Sequence, residues 1–343
     1  MRIPLAVGWL LAAFVITLLL VRGAIVYAHR RGMLDQPGQR RSHRVPTPRG
    51  GGIGVVIALL ICIPGALLSL SAPWPASVVI SLAMAFALVA FVGWWDDHRP
   101  LPVLPRFGAQ LLAVLMFSGV LLATGLSWWW LPLLLGAGVW SINLHNFMDG
   151  IDGLLAQQTI FVAAGLAWMS WSLAQPALAC ATAALAASAF GFWLYNRPPA
   201  RIFMGDVGSG SIGLLIFAFS AMLWRLDHAM LWPLLILSSA FLLDATLTLV
   251  MRMFRGRRWY SPHREHLYQW MTRHGGGTHG QTDARYLGWN LLLAGPFTWL
   301  AFSHLNIALP ITIAFYLCAA ALWLTLKRRY LRRNLPKERH VAS

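Results

Sequence analysis

Residues 77–97 read Ser-Val-Val-Ile-Ser-Leu-Ala-Met-Ala-Phe-Ala-Leu-Val-Ala-Phe-Val-Gly-Trp-Trp-Asp-Asp, an uncharged run that ends abruptly in Asp96 and Asp97. Nineteen residues at about 1.5 Å each match the roughly 30 Å of a bilayer's hydrocarbon. The run does not alternate with period two, so it is a helix and not a barrel strand. Two adjacent carboxylates at its end repel one another, which is costly unless a cation or a substrate needs them. A membrane helix delivering acid to its own mouth is therefore the unit from which this chain is built.

The same unit recurs in both directions. Eleven apolar runs are expected to span, near 3–27, 52–70, 77–95, 106–125, 128–147, 154–173, 176–195, 208–224, 229–251, 286–304 and 307–326. A mean hydropathy of +0.62 with 58% hydrophobic and 11% charged residues excludes an ordinary soluble domain. The expected fold is all-α and polytopic, one transmembrane catalytic domain over 1–326 followed by a basic tail, 327–343. Polar loops fall near 28–51, 96–105, 148–153, 196–207 and 252–285, all too short for a core of their own. The first run is longer than a signal-peptide core and lacks a small-residue cleavage site, so it reads as a retained span. Cys62, Cys180 and Cys318 lie singly in apolar runs and read as buried inert thiols.

A net charge of +16 could suggest nucleic acid, but its placement argues otherwise. With the N-terminus periplasmic, 24 of the 27 Lys and Arg fall on the inner side, as the positive-inside rule requires, and the C-terminus is cytoplasmic. Basic runs such as Lys327-Arg328-Arg329 then meet anionic lipid headgroups. Every acidic cluster faces the same cytoplasmic side of the membrane.

Four inner segments carry the chemistry. Pro46-Thr-Pro48-Arg49-Gly50-Gly51-Gly52 stiffens the backbone and opens a helix whose first N–H groups, beside Arg49, form an anion site. Asn143-Leu-His-Asn146-Phe-Met-Asp149-Gly150-Ile-Asp152-Gly153 spaces polar groups every three positions. Such oxygens suit Mg²⁺ or the edge of a nucleobase, while helix capping by Asp152 is the plainer alternative. In Phe203-Met-Gly205-Asp206-Val-Gly208, Asp206 sits among glycines that admit a ligand to the backbone, and Phe203 offers a face for a base. The loop His263-Arg264-Glu265-His266 can bind pyrophosphate or donate a proton. Asp244, deep in the ninth run, reads as structural, paired with Arg252 or with another helix.

In order, these segments resemble the polyprenyl-phosphate N-acetylaminosugar-1-phosphate transferases, glycosyltransferase family 4. The resemblance covers about 35–270 and rests on five motifs in register. It implies transfer of a sugar 1-phosphate from a UDP-N-acetylaminosugar to undecaprenyl phosphate with release of UMP, using Mg²⁺, with Mn²⁺ as an alternative. It casts Asp96, Asp97 and His263 as catalytic, and Asp206 and Asn146 as metal ligands. Asp152 and Phe203 would recognise the uracil, and Arg49, Asn143, Asp149, Arg264 and His266 would contact substrate. The cell-wall branch carries adjacent histidines in the last loop and a Lys in the first. Here the loop is interrupted as His-Arg-Glu-His and that Lys is missing, which points to the O-antigen initiating branch and to UDP-GlcNAc, UDP-N-acetylfucosamine or UDP-N-acetylquinovosamine. The implied setting is the bacterial inner membrane, with the site cytoplasmic, membrane lipids as neighbours, no nucleic-acid partner, and a homodimer compatible with the family.

Two rivals belong to other classes. A secondary transporter would place ionisable residues at the bilayer midplane and show inverted repeats. A lipid-binding scaffold would explain the basic loops but not the carboxylates and amides beside them.

Overall fold

The structure, a computed structural model, describes residues 3–32, 34–35, 46–72, 74–257, 263–273 and 277–334. Arg40, Arg41 and Arg44 of the first loop and the tail beyond Asn334 lie outside these residues. The fold is all-α apart from an antiparallel pair of two-residue strands, β1 (Leu34–Asp35) and β2 (Thr47–Pro48). Its contacts group into two compact units, Met1–His228 and Ala229–Ser343.

The first unit holds α1 (Ile3–Arg31), α2 (Gly52–Ser69), α3 (Ala76–His98), α4 (Val103–Ala123), α5 (Leu131–Met148), α6 (Leu154–Ser172), α7 (Pro176–Asn196) and α8 (Asp206–Leu226). Helix α8 is almost wholly buried and is packed by α2, α3, α5 and α6. Small residues let backbones approach this closely, as helix association in lipid requires. A Cβ at Gly93 of α3 would lie 2.4 Å from the Asp206 carbonyl oxygen, and one at Gly52 of α2 would lie 2.5 Å from the Gly208 Cα. These contacts seat the first turn of α8 against the end of α3 that carries Asp96 and Asp97.

The second unit holds α9 (Leu231–Leu237), α10 (Ser239–Phe254), α11 (Leu267–Arg273), α12 (His279–Trp289), α13 (Gly295–Ser303) and α14 (Ala308–Asn334). A π-helical turn, Asn290–Ala294, joins α12 to α13. Helices α9 and α10 meet at an 81° bend. It falls at the Ser238-Ser239 pair, a known kind of kink site.

Among the described residues, seven helices are long and apolar enough to cross a membrane, or eight if the bent pair α9–α10 is one span. Eleven were expected. The other three, α5, α6 and the α12–α13 run, exist as helices but carry polar residues such as Asn143, Asn146, Gln157 and Gln158, or are broken at the π turn. The chain is a multi-pass helical membrane protein.

Three expectations about single residues change. Cys318 is exposed, unlike buried Cys62 and Cys180. Helix α14 continues through Lys327 to Asn334 instead of ending at 326 in a tail. Lys327 is 4% exposed, between the rings of Trp270 and Trp323, and donates to the Glu265 carbonyl, so it does not meet headgroups.

Candidate active site

The first loop and the approach to α8 are stitched together through their backbones. Phe203 N–H donates to the Pro48 carbonyl at 2.8 Å, and Gly51 and Gly52 N–H donate to the Phe203 and Met204 carbonyls at 2.9 and 2.8 Å. Prolines leave their own carbonyls available, and Gly205, at φ +78°, makes the turn into α8 that other residues resist. Arg49 is thereby held over the N-terminus of α8.

The Asp97 carboxylate closes that N-terminus from another helix. It accepts from Asp206 N–H at 3.0 Å and Val207 N–H at 3.1 Å, satisfying donors that a helix start leaves unpaired, and meets Arg49 Nη2 at 2.9 Å. With its side chain 3% exposed, Asp97 is a capping group and is poorly placed to act as a base. The two adjacent aspartates, both expected as catalytic, thus have different partners. Asp96 instead accepts from Leu101 N–H at 2.6 Å and from Arg106 Nη1 at 2.7 Å.

Asp206 lies at the centre. Its two oxygens face two guanidinium groups, Arg49 Nη2 at 3.1 Å and Arg106 Nη1 at 3.4 Å, and its carboxyl is within hydrogen-bonding reach of Asp96. Asp149, just beyond the end of α5, completes the group. Burial, reinforced by the charge of Asp206 and opposed by Arg49, pushes its carboxyl up to about 8. Burial alone would lower the Arg49 pKa, but Asp97, Asp206, Asp149 and Asp96 outweigh it and the pKa is raised. Four carboxyl groups share two arginines here, and the raised Asp149 carboxyl reflects crowded negative charge of the kind that a dication relieves.

Around this centre the other candidates divide. Asn146 donates its amide nitrogen to Ser209 Oγ at 3.0 Å, one turn along α8 from Asp206, which turns its carbonyl oxygen into the ligand-type atom. Asp152 accepts from Ala200 N–H at 3.1 Å, Gly153 N–H donates to Asn196 Oδ1, and Asn196 donates to the Ile202 carbonyl. These bonds tie the segment after α5 to the strand of chain leading to half-buried Phe203. Asn143 is not part of the charged cluster's bonding: its amide nitrogen is given to Gln110 Oε1 at 2.7 Å and to the Val139 carbonyl.

His263, Arg264 and His266 belong to the second unit. There Glu265 pairs with Arg252 and, at 2.8 Å, with Arg257. The His263 and His266 rings lie 4.8 Å apart, and His266, 3% exposed, also stacks on Tyr268. Burial, then the neighbouring His266 and Arg252, pushes His263 down to about 4, and burial lowers His266 as well. Both are neutral near pH 7, so of His263, Arg264 and His266 it is Arg264 that carries positive charge. Of the two partners expected for Asp244, Arg252 or another helix, the structure shows bonds to other helices, and the Arg252 guanidinium pairs with Glu265.

Arg106 was missed by sequence reasoning. It stands in the first turn of α4 and counted only toward charge asymmetry, although its spacing of ten residues from Asp96 across a Pro-bounded turn was available as a signal. Arg106→Ala is expected to lower turnover about tenfold, the ~1.4 kcal/mol scale of one charge-assisted bond. A steady-state rate equal to the unaltered protein's would remove Arg106 from the site.

The donor set fits a hard cation. Asp206, Asp149 and the Asn146 oxygen are the ligand types that Mg²⁺ prefers, and the neighbouring carboxyls repel without it. Among the described residues no three His, Cys, Asp or Glu side chains form a ready-made metal cage. That is compatible with Mg²⁺, which is commonly held by one or two carboxylates plus water and substrate phosphates.

A helical membrane protein with carboxylates, arginines and a hard-cation donor set at the ends of its helices has the design of an enzyme acting on phosphorylated substrates. The glycosyl transferase family 4 profile matches residues 79–224, which include Asp96, Asp97, Arg106, Asp149 and Asp206. The chain is 32% identical over 250 residues to the phospho-N-acetylmuramoyl-pentapeptide-transferase of Moorella thermoacetica, covering 64% of this chain and 75% of the relative. It is 29% identical to the decaprenyl-phosphate N-acetylglucosaminephosphotransferase of Mycolicibacterium smegmatis, covering 93% and 88%. It is 27% identical to a Bacillus subtilis protein described as a probable undecaprenyl-phosphate N-acetylglucosaminyl 1-phosphate transferase, covering 76% and 74%. The chain belongs to glycosyl transferase family 4.

Proposed function

We propose that this protein transfers an N-acetylaminosugar 1-phosphate from a UDP-sugar to undecaprenyl phosphate at the cytoplasmic face of a bacterial inner membrane, releasing UMP and initiating O-antigen or a related envelope polysaccharide. The observation that carries the reading is Asp206, set at a helix N-terminus between Arg49 and Arg106 with Asp96 and Asp149 beside it. Two anionic reactants must be brought together, and positioned positive charge is the chief requirement of phosphoryl transfer. Arg49 and Arg106 are placed to hold phosphate oxygens, while Asp206 and Asp96 fix both guanidinium groups. When bound, Mg²⁺ held by Asp206 and Asn146, with Asp149 near, supplies Lewis-acid charge to the phosphates.

An oxygen of the lipid phosphate attacks the sugar-linked phosphorus, and the bond to UMP breaks. A phosphomonoester has a second pKa of about 6, so the attacking oxygen is already largely ionised and needs no strong base. Asp96, more open than Asp97, is the carboxylate placed to steer it. Asp152 and Phe203, tied into one segment, suit the uracil. The O-antigen branch rests on the interrupted His263-Arg264-Glu265-His266 loop. A transporter is disfavoured because the carboxylates stand at helix ends.

Radiolabelled UDP-N-acetylaminosugars, undecaprenyl phosphate and the purified protein, with Mg²⁺ added or withheld, test this directly. Label should pass to the lipid phase only with the metal present, and no transfer from any of these donors would refute the reaction. One phosphoanhydride replaces another, so UMP added to the product lipid is expected to regenerate UDP-sugar. A forward reaction with no detectable reversal would count against this scheme.

A further inference from the structure

We infer that Lys327 of α14 is a positioning residue for the sugar-nucleotide donor: it pins the backbone of the His263-Arg264-Glu265-His266 loop and so fixes where Arg264 stands. This rests on the transferase reading above and on the loop's fitness for pyrophosphate, and it adds the group that holds the loop in place. A charged side chain buried in an apolar helix is costly and marks a functional position. Lys327 is 4% exposed, on a helix whose run from Leu305 is apolar enough to cross a membrane. Among the described residues it makes no ion pair, and it donates instead to a backbone atom, the Glu265 carbonyl.

Two indole rings flank the ammonium, with centres 5.3 Å away for Trp270 and 5.5 Å away for Trp323. Such rings attract a cation and suit the methylene stem of a lysine whose tip still donates. Trp270 stands on α11, which begins directly after the loop, and Trp323 lies one turn before Lys327 on α14. The Glu265 carboxylate is committed to Arg252 and Arg257, so this residue is held at its side chain and at its carbonyl. Trp323 meanwhile donates to Asp244 at 3.1 Å, and Asp244 accepts from the N–H groups of Leu267 and Tyr268. Two side chains of α14, one turn apart, thus secure the segment from Glu265 to Tyr268, and Arg264 is the residue next to it. The glutamate that separates Arg264 from His266 is the loop's anchor.

Lys327→Met keeps the length and the apolar stem of the side chain and removes its donor. Replacing a buried charge by an apolar group of similar volume is often neutral or stabilising, so the melting temperature in detergent should not fall. The expected result is a KM for UDP-sugar raised about tenfold, the scale of one hydrogen bond to a charged group. The KM for undecaprenyl phosphate should stay within about twofold, since binding is lost on the donor side alone. Lys327→Arg, which keeps a donor of similar reach, should recover most of the loss. A lowered melting temperature with both KM values rising together, or an unchanged KM for UDP-sugar, would overturn the inference.

Arg264→Ala tests whether Lys327 acts through that residue. With Arg264 gone, Lys327→Met should add nothing further to the KM for UDP-sugar, because the two act as one unit. Fully additive losses would overturn the inference. A second measurement needs no turnover. Amide hydrogen exchange over residues 263–273 should speed up in Lys327→Met and stay as in the unaltered protein in Lys327→Arg. Exchange unchanged by Lys327→Met would overturn Lys327 as the group that pins the loop. Faster exchange as expected, in a protein that transfers no sugar phosphate, would leave that contact standing and refute the reaction instead.

Discussion

Asp206→Asn is expected to cut turnover by about 10²–10³-fold, the ~2.7–4 kcal/mol associated with losing one preorganised electrostatic group, with little change in melting temperature. The carboxylate shares two guanidinium groups with Asp96 and Asp97 and interacts with Asp96, Asp97 and Asp149. Asparagine keeps its shape and one oxygen but removes the charge on which a dication and the arginine geometry depend. Stability should not follow activity. The two ion pairs lost are to arginines 39% and 35% exposed, where such pairs contribute little. In return, repulsion from Asp96, Asp97 and Asp149 is relieved. Initial rates and a thermal melt in detergent, measured on the same preparation, decide the matter. Full activity would end the assignment of Asp206 to the reaction, and a collapsed melt would make it structural.

That cluster was legible in the sequence for a simple reason. Carboxylates are costly in an apolar chain, so Asp96, Asp97, Asp149 and Asp206 stood out at the ends of uncharged runs, and the fold brings them together. Their division of labour was not legible. Nothing in the pair Asp96-Asp97 says that one caps α8 and the other takes Arg106, because that follows from where α8 begins against α3 at Gly93. Arg106 was hidden by a different effect: in a chain of net charge +16 a single arginine carries little information until a carboxylate is seen beside it.

Helix geometry accounts for two further differences. Lys327, Arg328 and Arg329 read as one basic run, yet successive residues on a helix point about 100° apart. Lys327 thus turns inward to Trp270 and Trp323 while its two neighbours remain exposed. The bend at Ser238 and the π turn at Asn290 interrupt apolar stretches that hydropathy alone reads as continuous. Hydropathy measures solvent preference and is blind to backbone breaks that neighbouring groups can satisfy.

The largest effect on stability is expected at Asp244, whose burial in the second unit the sequence did reveal and whose partners it did not. Its carboxylate accepts from Leu267 N–H at 2.7 Å, Tyr286 Oη at 2.8 Å, Trp323 Nε1 at 3.1 Å, and Tyr268 N–H and Thr248 Oγ1 at 3.3 Å. One buried acid thereby joins α10 to α11, α12 and α14. Asp244→Ala leaves these donors without an acceptor, and each unsatisfied buried group costs about 1–3 kcal/mol. Even partial relaxation leaves a loss on the order of 3–5 kcal/mol, or about 10 °C of melting temperature. Asp244→Asn is expected to fall between, because its new N–H₂ group faces donors and not acceptors. Activity should decline along with stability, since Leu267 and Tyr268 begin the helix that follows His263-Arg264-Glu265-His266 and their N–H groups hold that loop's end in place. A normal melting curve with lost turnover would reverse this assignment and move Asp244 from the scaffold into the reaction.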